Sequence, residues 1–285
     1  MEKNQNNEMT IGIPRGMSFY HNYPFYYGFF TDLGIKIVLS DVTTKQTMTS
    51  GSALVVTETC LPIKVYIGHV LNLIDKGIDK IFVPSIQSIA PKIYNCSKIR
   101  GLPDLVRNVV KKEFTMIEAT LDKSEKNQGL YEFLAEMVAP FGITDMEKIK
   151  KASKAGWRTY NNFHIMSKSG MSYKKAMNYA LQGKVFIENQ TKEFPISIAL
   201  ISHGYNIFDG SLIKLINSSS VIPSAIMSFP CSCAHSSINL SALCLVLHSL
   251  QSINGSEKPP TCPDATQVSG FIKIAASNPT ISFCS

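Results

Sequence analysis

The sequence predicts an α/β fold, and two observations carry that prediction. Short apolar strands alternate with amphipathic helices from about residue 10 to residue 120, which implies a parallel sheet with helices on both faces. Three successive helical segments then interrupt the alternation, and an apolar run at 195–202 (PISIALIS) resumes it as the first strand of a second α/β half.

Taken in order, TIGIP (10–14) reads as a short buried strand, followed by an aromatic-rich helix from about Tyr20 to Leu33 that Gly34 closes. IKIVLS (35–40) is a second strand, Thr43–Gly51 a short helix or turn, and ALVVT (53–57) a third strand. Pro62 opens a strong helix that runs to Lys76. Its residues Ile63, Tyr66, Ile67, Val70, Leu71 and Ile74 share one face at helical spacing. Gly77 stops it, DKIFVPSI (79–86) is a fourth strand, and a loop runs to Arg100. A helix from about Pro103 to Lys112 and a fifth strand, FTMIEAT, complete the run. The next helices are predicted at about 127–138, 145–154 and 172–182. The expected organisation is a Rossmann- or flavodoxin-like N-terminal domain (9–124), a helical cap or insertion (125–190) and the start of a second α/β domain (191–216). An ordinary second half needs roughly 100 further residues, so that half is expected to be incomplete.

Composition sets the remaining segment apart. Residues 217–285 contain four charged side chains (Glu257, Lys258, Asp264 and Lys273), 16 serines and five of the seven cysteines. This reads as an atypical Ser/Cys-rich tail: a low-complexity extension, a disulfide-rich module, or a segment out of frame or disordered. Over the whole chain, 285 residues with 45% hydrophobic and 17% charged side chains exclude a fibrous or wholly disordered protein. No apolar run approaches the ~20 residues of a bilayer span, and MEKNQNNE is no signal peptide, so a cytoplasmic protein without membrane attachment is expected. The net charge of +7 comes from scattered residues and does not argue for nucleic acid.

In an open parallel sheet, ligands bind outside the carboxyl ends of the strands. Four polar clusters are predicted at such ends: Arg15-Gly16, Glu58-Thr59-Cys60, the loop with Lys92, Tyr94, Cys96 and Lys98, and His203-Gly204-Tyr205-Asn206. Cys60 precedes Pro62 at the start of the best helix, where free N–H groups and a partial positive charge favour a thiolate. Such a thiol suits a nucleophile, a redox group or a metal ligand. Cys60 and Cys96, without a CxxC, fit a cluster assembled across the fold, a zinc site with further ligands, or two inert free thiols. Lys64 lies near the edge of the apolar stripe and reads first as a solvated residue. His69 lies further round and caps a neighbouring loop or faces solvent. The Tyr20–Phe30 aromatics read as helix packing, and Cys231, Cys233 and His235 are discounted as a metal site. No P-loop, GxGxxG, HExxH or G-x-S-x-G motif occurs, and Asn95-Cys96-Ser97 has no weight as a glycosylation site without secretion.

The segments IGIPRGMSFYHNYPFYYGFFTDLGIKIVLS, ETCLPIKVYIGHV and DKIFVPSIQSIAPKIYNCSKIRGLPDLVR, in this order, closely resemble the acyl-CoA dehydratase activase-related proteins. That group is similar to the D-component of 2-hydroxyglutaryl-CoA dehydratase and to benzoyl-CoA reductase subunits. The resemblance runs from about Thr10 to Asp209, where SHGYNIFD is similar to a strand end of the family's second half. It implies a protein of anaerobic metabolism with a [4Fe–4S] cluster. Cys60 and Cys96 match the family's two N-terminal cysteines, and Lys64 and His69 match two further positions without an assigned role. Arg15, Lys64, His69, Tyr94, His203 and Asn206 are the expected residues around the cofactor, and Cys60 and Cys96 the expected metal ligands. The resemblance also implies an ATP-dependent activase as partner, with acyl-CoA as a further ligand, and any activity of its own would be that of a dehydratase-like lyase. The alternative is a non-catalytic α/β binding or assembly module whose cysteines bind zinc or pack. A nucleophilic Cys60 with His69 as base is the weakest reading, since nine helical residues separate them by about 13 Å.

Overall fold

The computed structural model describes residues 9–126, 128–187, 197–211, 226–228 and 273–277. Its centre is a four-stranded parallel sheet of order β2-β1-β3-β6, formed by β1 (Thr10–Ile13), β2 (Lys36–Leu39), β3 (Lys80–Phe82) and β6 (Thr115–Ile117). The α/β fold with a parallel sheet is thus observed. Strand alternation sends side chains to two separate cores. Ile11, Ile13, Phe82 and Ile117 face a core shared with α1 (Phe19–Asp32) and α6 (Leu130–Val138), whose Phe133 packs against Phe82, and α7 (Met146–Lys168) and α8 (Tyr173–Leu181) pack on α1. Ile81 and Val83 face α3 (Leu61–Asp75) and α5 (Leu102–Val109) on the other side.

The fourth and fifth predicted strands each continue past a break. Pro84 has no N–H to donate, and the chain resumes as β4 (Ser85–Ala90) beside β7 (Thr120–Asp122), again in parallel. Val83 N–H to Ile117 O (2.9 Å) and Ser85 N–H to Ala119 O (2.8 Å) bridge the interruption. A short β5 (Ile93–Tyr94) adds antiparallel to β4, so the segment predicted as a loop contains a strand and the single-turn helix α4 (Ser97–Arg100).

Two predictions are corrected. Residues 53–57 form no strand: α2 (Lys45–Ser52), opened by a reciprocal Thr44–Thr47 capping box, ends in turns that lead to Cys60. Val56 is 68% exposed there, so this apolar run lacks a sheet face to cover it. The second helix of the insertion continues fourteen residues beyond 154, to Lys168. Its far half is rich in Thr, Asn and aromatic residues with weak helix propensity, and tertiary packing holds it. α7 crosses α1 where Gly28 meets Gly156, and a Cβ on Gly156 would lie 2.9 Å from both Phe25 O and the Phe25 ring. α2 crosses α3 still more closely at Gly51 and Gly68.

A third sheet has the order β10-β8-β9, with β8 (Ser197–Ser202) parallel to β9 (Ile226–Ser228) and antiparallel to β10 (Lys273–Ser277). Two segments of the compositionally distinct tail therefore pair with the first strand of the second half. The remainder of residues 217–285, including all five of its cysteines, lies outside the described residues. Among the described residues no helix is long and apolar enough to cross a membrane.

Candidate functional site

The chain leaves β1 for β2 on one side and reaches β3 on the other, so the carboxyl ends of β1 and β3 form the switch point of the sheet, where open α/β sheets place their ligands. A cavity of about 160 Å³ lies there. Its walls come from the β1–α1 turn (Pro14 and Gly16 to Phe19), the ends of β3 and β4, the residues Asn95, Ile99 and Leu102, and His203 to Tyr205. Met17, in that turn, takes a left-handed conformation at φ 53° while buried. Such backbone costs energy in a non-glycine residue and persists where its surroundings dictate it.

Both predicted thiols occupy the residue that starts a helix. Cys60 (φ −63°, ψ 146°) caps α3 with Pro62 in the first turn, and Cys96 (φ −62°, ψ 150°) caps α4. The extended cap backbone turns each chain into its helix, and neither helix start receives a side-chain cap hydrogen bond. Cys60 is half-buried and packs against the same core as Ile99 and Tyr205, which line the cavity. Cys96 is exposed and follows Asn95, another lining residue. Among the described residues no three His, Cys, Asp or Glu side chains gather into a metal-ligand set. The two thiols fit a thiolate-ligated cluster by donor chemistry and helix-end electrostatics, and further ligands would have to come from elsewhere.

The other predicted residues divide. His203 lines the cavity, starts α9 (Gly204–Ile207) and stacks on Tyr205 with centroids 5.0 Å apart. Arg15 joins the ends of β1 and β2, its Nε donating to Ser40 O at 2.7 Å, with its guanidinium over the Phe19 ring. Lys64 Nζ donates to Thr57 O (2.9 Å), which ties the approach to Cys60 onto α3. Tyr94 is exposed beneath the Arg100 guanidinium, and Asn206 Nδ2 donates to Ser202 Oγ at 3.1 Å.

His69 does not face solvent: it is fully buried, with Nε2 3.0 Å from Thr43 Oγ1 in the segment before α2. α3 is covered on a second flank by α2, so its buried arc is wider than one stripe and also takes in Val65 and Gly68. The Thr43 hydroxyl donates to Asp209 Oδ2, which also accepts from Tyr20 Oη at 2.8 Å. Ser211 closes the cluster, its N–H on Asp209 Oδ1 (2.8 Å) and its hydroxyl on Thr43 O (2.6 Å). This buried network joins α1, the segment before α2, α3 and the 203–211 segment. Burial pushes the His69 imidazole down to about 4. Burial, with Asp209 beside it, pushes the Tyr20 phenol up.

Sequence reasoning missed Thr43, Asp209 and His21 as members of these sites. Asp209 was legible only as the end of SHGYNIFD, and the pairing of Thr43 with His69 depends on a helix crossing that no local pattern announces. His21 lines the cavity among aromatics that read as packing.

One family model matches residues 10–219, that of the CoA enzyme activase uncharacterised domain. No curated protein and no solved structure matches the chain.

Proposed function

The chain belongs to the family of the CoA enzyme activase uncharacterised domain, and from that membership we propose that it is an iron–sulfur component of a 2-hydroxyacyl-CoA dehydratase-type system, working with an ATP-dependent activase. Cys60 and Cys96 are two ligands of its [4Fe–4S] cluster, and the others come from outside the described residues or from a partner. The observation that supports this most is that both thiols start helices beside one cavity at the switch point of the sheet. When bound, such a cluster supplies one-electron chemistry at low potential.

The chain's own residues have separable tasks in this reading. Cys60 and Cys96 hold the cluster, and the α3 N-terminus favours its negative charge. Lys64, held on Thr57 O, fixes the backbone that delivers Cys60. The Thr43–His69–Asp209 network locks the 203–211 segment, and with it His203, against the first domain. Anaerobic purification with iron, zinc and acid-labile sulfide assays and a visible spectrum tests the proposal. Iron and sulfide of about four each, with a charge-transfer band lost in Cys60→Ser and Cys96→Ser, are expected. Stoichiometric zinc, or metal-free protein after attempted reconstitution, overturns it in favour of a binding or assembly module.

A further inference from the structure

The cavity at the switch point has a lining that sorts ligands by charge. Its walls are aromatic and aliphatic, chiefly Phe19, Tyr26, Tyr66, Phe82, Ile86 and Ile99, and no Asp, Glu, Lys or Arg lines it among the described residues. Several polar groups in the wall are already engaged. Tyr66 Oη donates to Phe82 O (3.0 Å), Asn95 Nδ2 donates to Ile86 O (2.8 Å), and Tyr26 is hydrogen-bonded by Asn22 and Ser18. The His21 ring packs edge-on against His164 with centroids 5.5 Å apart, and its Nε2 is buried out of reach of the cavity space. Burial pushes both cavity histidines, His21 and His203, below their ordinary value, so each presents a neutral imidazole at neutral pH.

A volume of 160 Å³ matches apolar cavities that accept one six-carbon ring. A carboxylate or ammonium placed there would lose its hydration without gaining a counter-charge. We infer that the cavity is a binding site for a small uncharged aromatic or aliphatic group of about six carbons. The site is independent of whether Cys60 and Cys96 carry a cluster, because neither cysteine lines it.

Titration of the full chain, metal-free and metal-loaded, with benzyl alcohol, toluene, hexanamide and hexanoate at pH 7.5 tests this by calorimetry and ligand-observed NMR. Benzyl alcohol and hexanamide should bind with dissociation constants on the order of 1 mM, and hexanoate at least about tenfold more weakly. Ile86→Phe fills the cavity from the sheet side and Ile99→Trp from the helical side. Either variant, once shown to unfold cooperatively, should abolish binding of every neutral probe. Hexanoate binding as tightly as hexanamide, no binding of any neutral probe at 10 times the expected constant, or undiminished binding in both folded filling variants would overturn the inference. An iron-free protein that binds the neutral probes would sink the cluster proposal and leave this one standing.

Discussion

Cys60 and Cys96 begin their helices with nearly the same backbone angles, yet the regions around them are built differently. Cys60 leads into fifteen residues of α3, packed on the sheet on one flank and on α2 on another, with a fully buried histidine in its third turn. Cys96 leads into four residues of α4 that bury no side chain fully. The same cap conformation thus serves a thiol held by a core and a thiol held by a loop. A local conformation does not determine how rigidly a ligand is placed; the contacts of the following helix do.

The comparison breaks most sharply at two glycines. A Cβ on Gly68 would sit 1.9 Å from Thr47 O, whereas one on Gly101, between α4 and α5, meets only Ser97 O at 3.4 Å. Gly68→Ala should cost about 3 kcal/mol or more by forcing α2 away from α3, and Gly101→Ala should stay within about 0.5 kcal/mol. Urea unfolding measures both, and equal costs would show that α3 is no better anchored than α4.

The acid response should also belong to the α3 side. His69 titrates near 4 when folded and near 6.5 when unfolded. Between those values the unfolded chain binds more protons, so stability falls as pH falls from about 6.5 towards about 4. His69→Gln should be less stable than wild type at pH 7.5 and have a flatter decline to pH 4.5 in denaturant midpoints. His164, also held near 4 by burial, is present in both proteins, so the difference between the profiles reports position 69. Parallel profiles would remove His69 from the acid response.

The smallest effect is kinetic. In metal-free protein the exposed Cys96 should alkylate about tenfold faster than the half-buried Cys60, read by mass spectrometry of the labelled peptides. Metal loading should protect both together, and protection of one alone would separate them as ligands.

Much of this was legible beforehand because it rests on local rules. Strand and helix periods place β1, α1, β2, α3 and the break at Gly77, and Pro62 marks the start of α3 behind Cys60. The false strand at 53–57 shows the limit of that method: an apolar run satisfies the pattern whether or not a sheet face exists to cover it. The short reading of α7 fails for the opposite reason, since its second half is helical through packing on α1 rather than through its own preference.

By itself the sequence determined the α/β order, the family and the start of α3 behind Cys60, all properties of neighbours along the chain, whereas Cys96, expected within a loop, starts α4 in the structure. Only the tertiary structure decided that Thr43, His69 and Asp209 form one buried network, and that an uncharged cavity opens beside His21. Asp209 and Thr43 are 166 positions apart. Contacts over such separations arise from how helices cross and how the second half docks, and no periodicity within either segment encodes them.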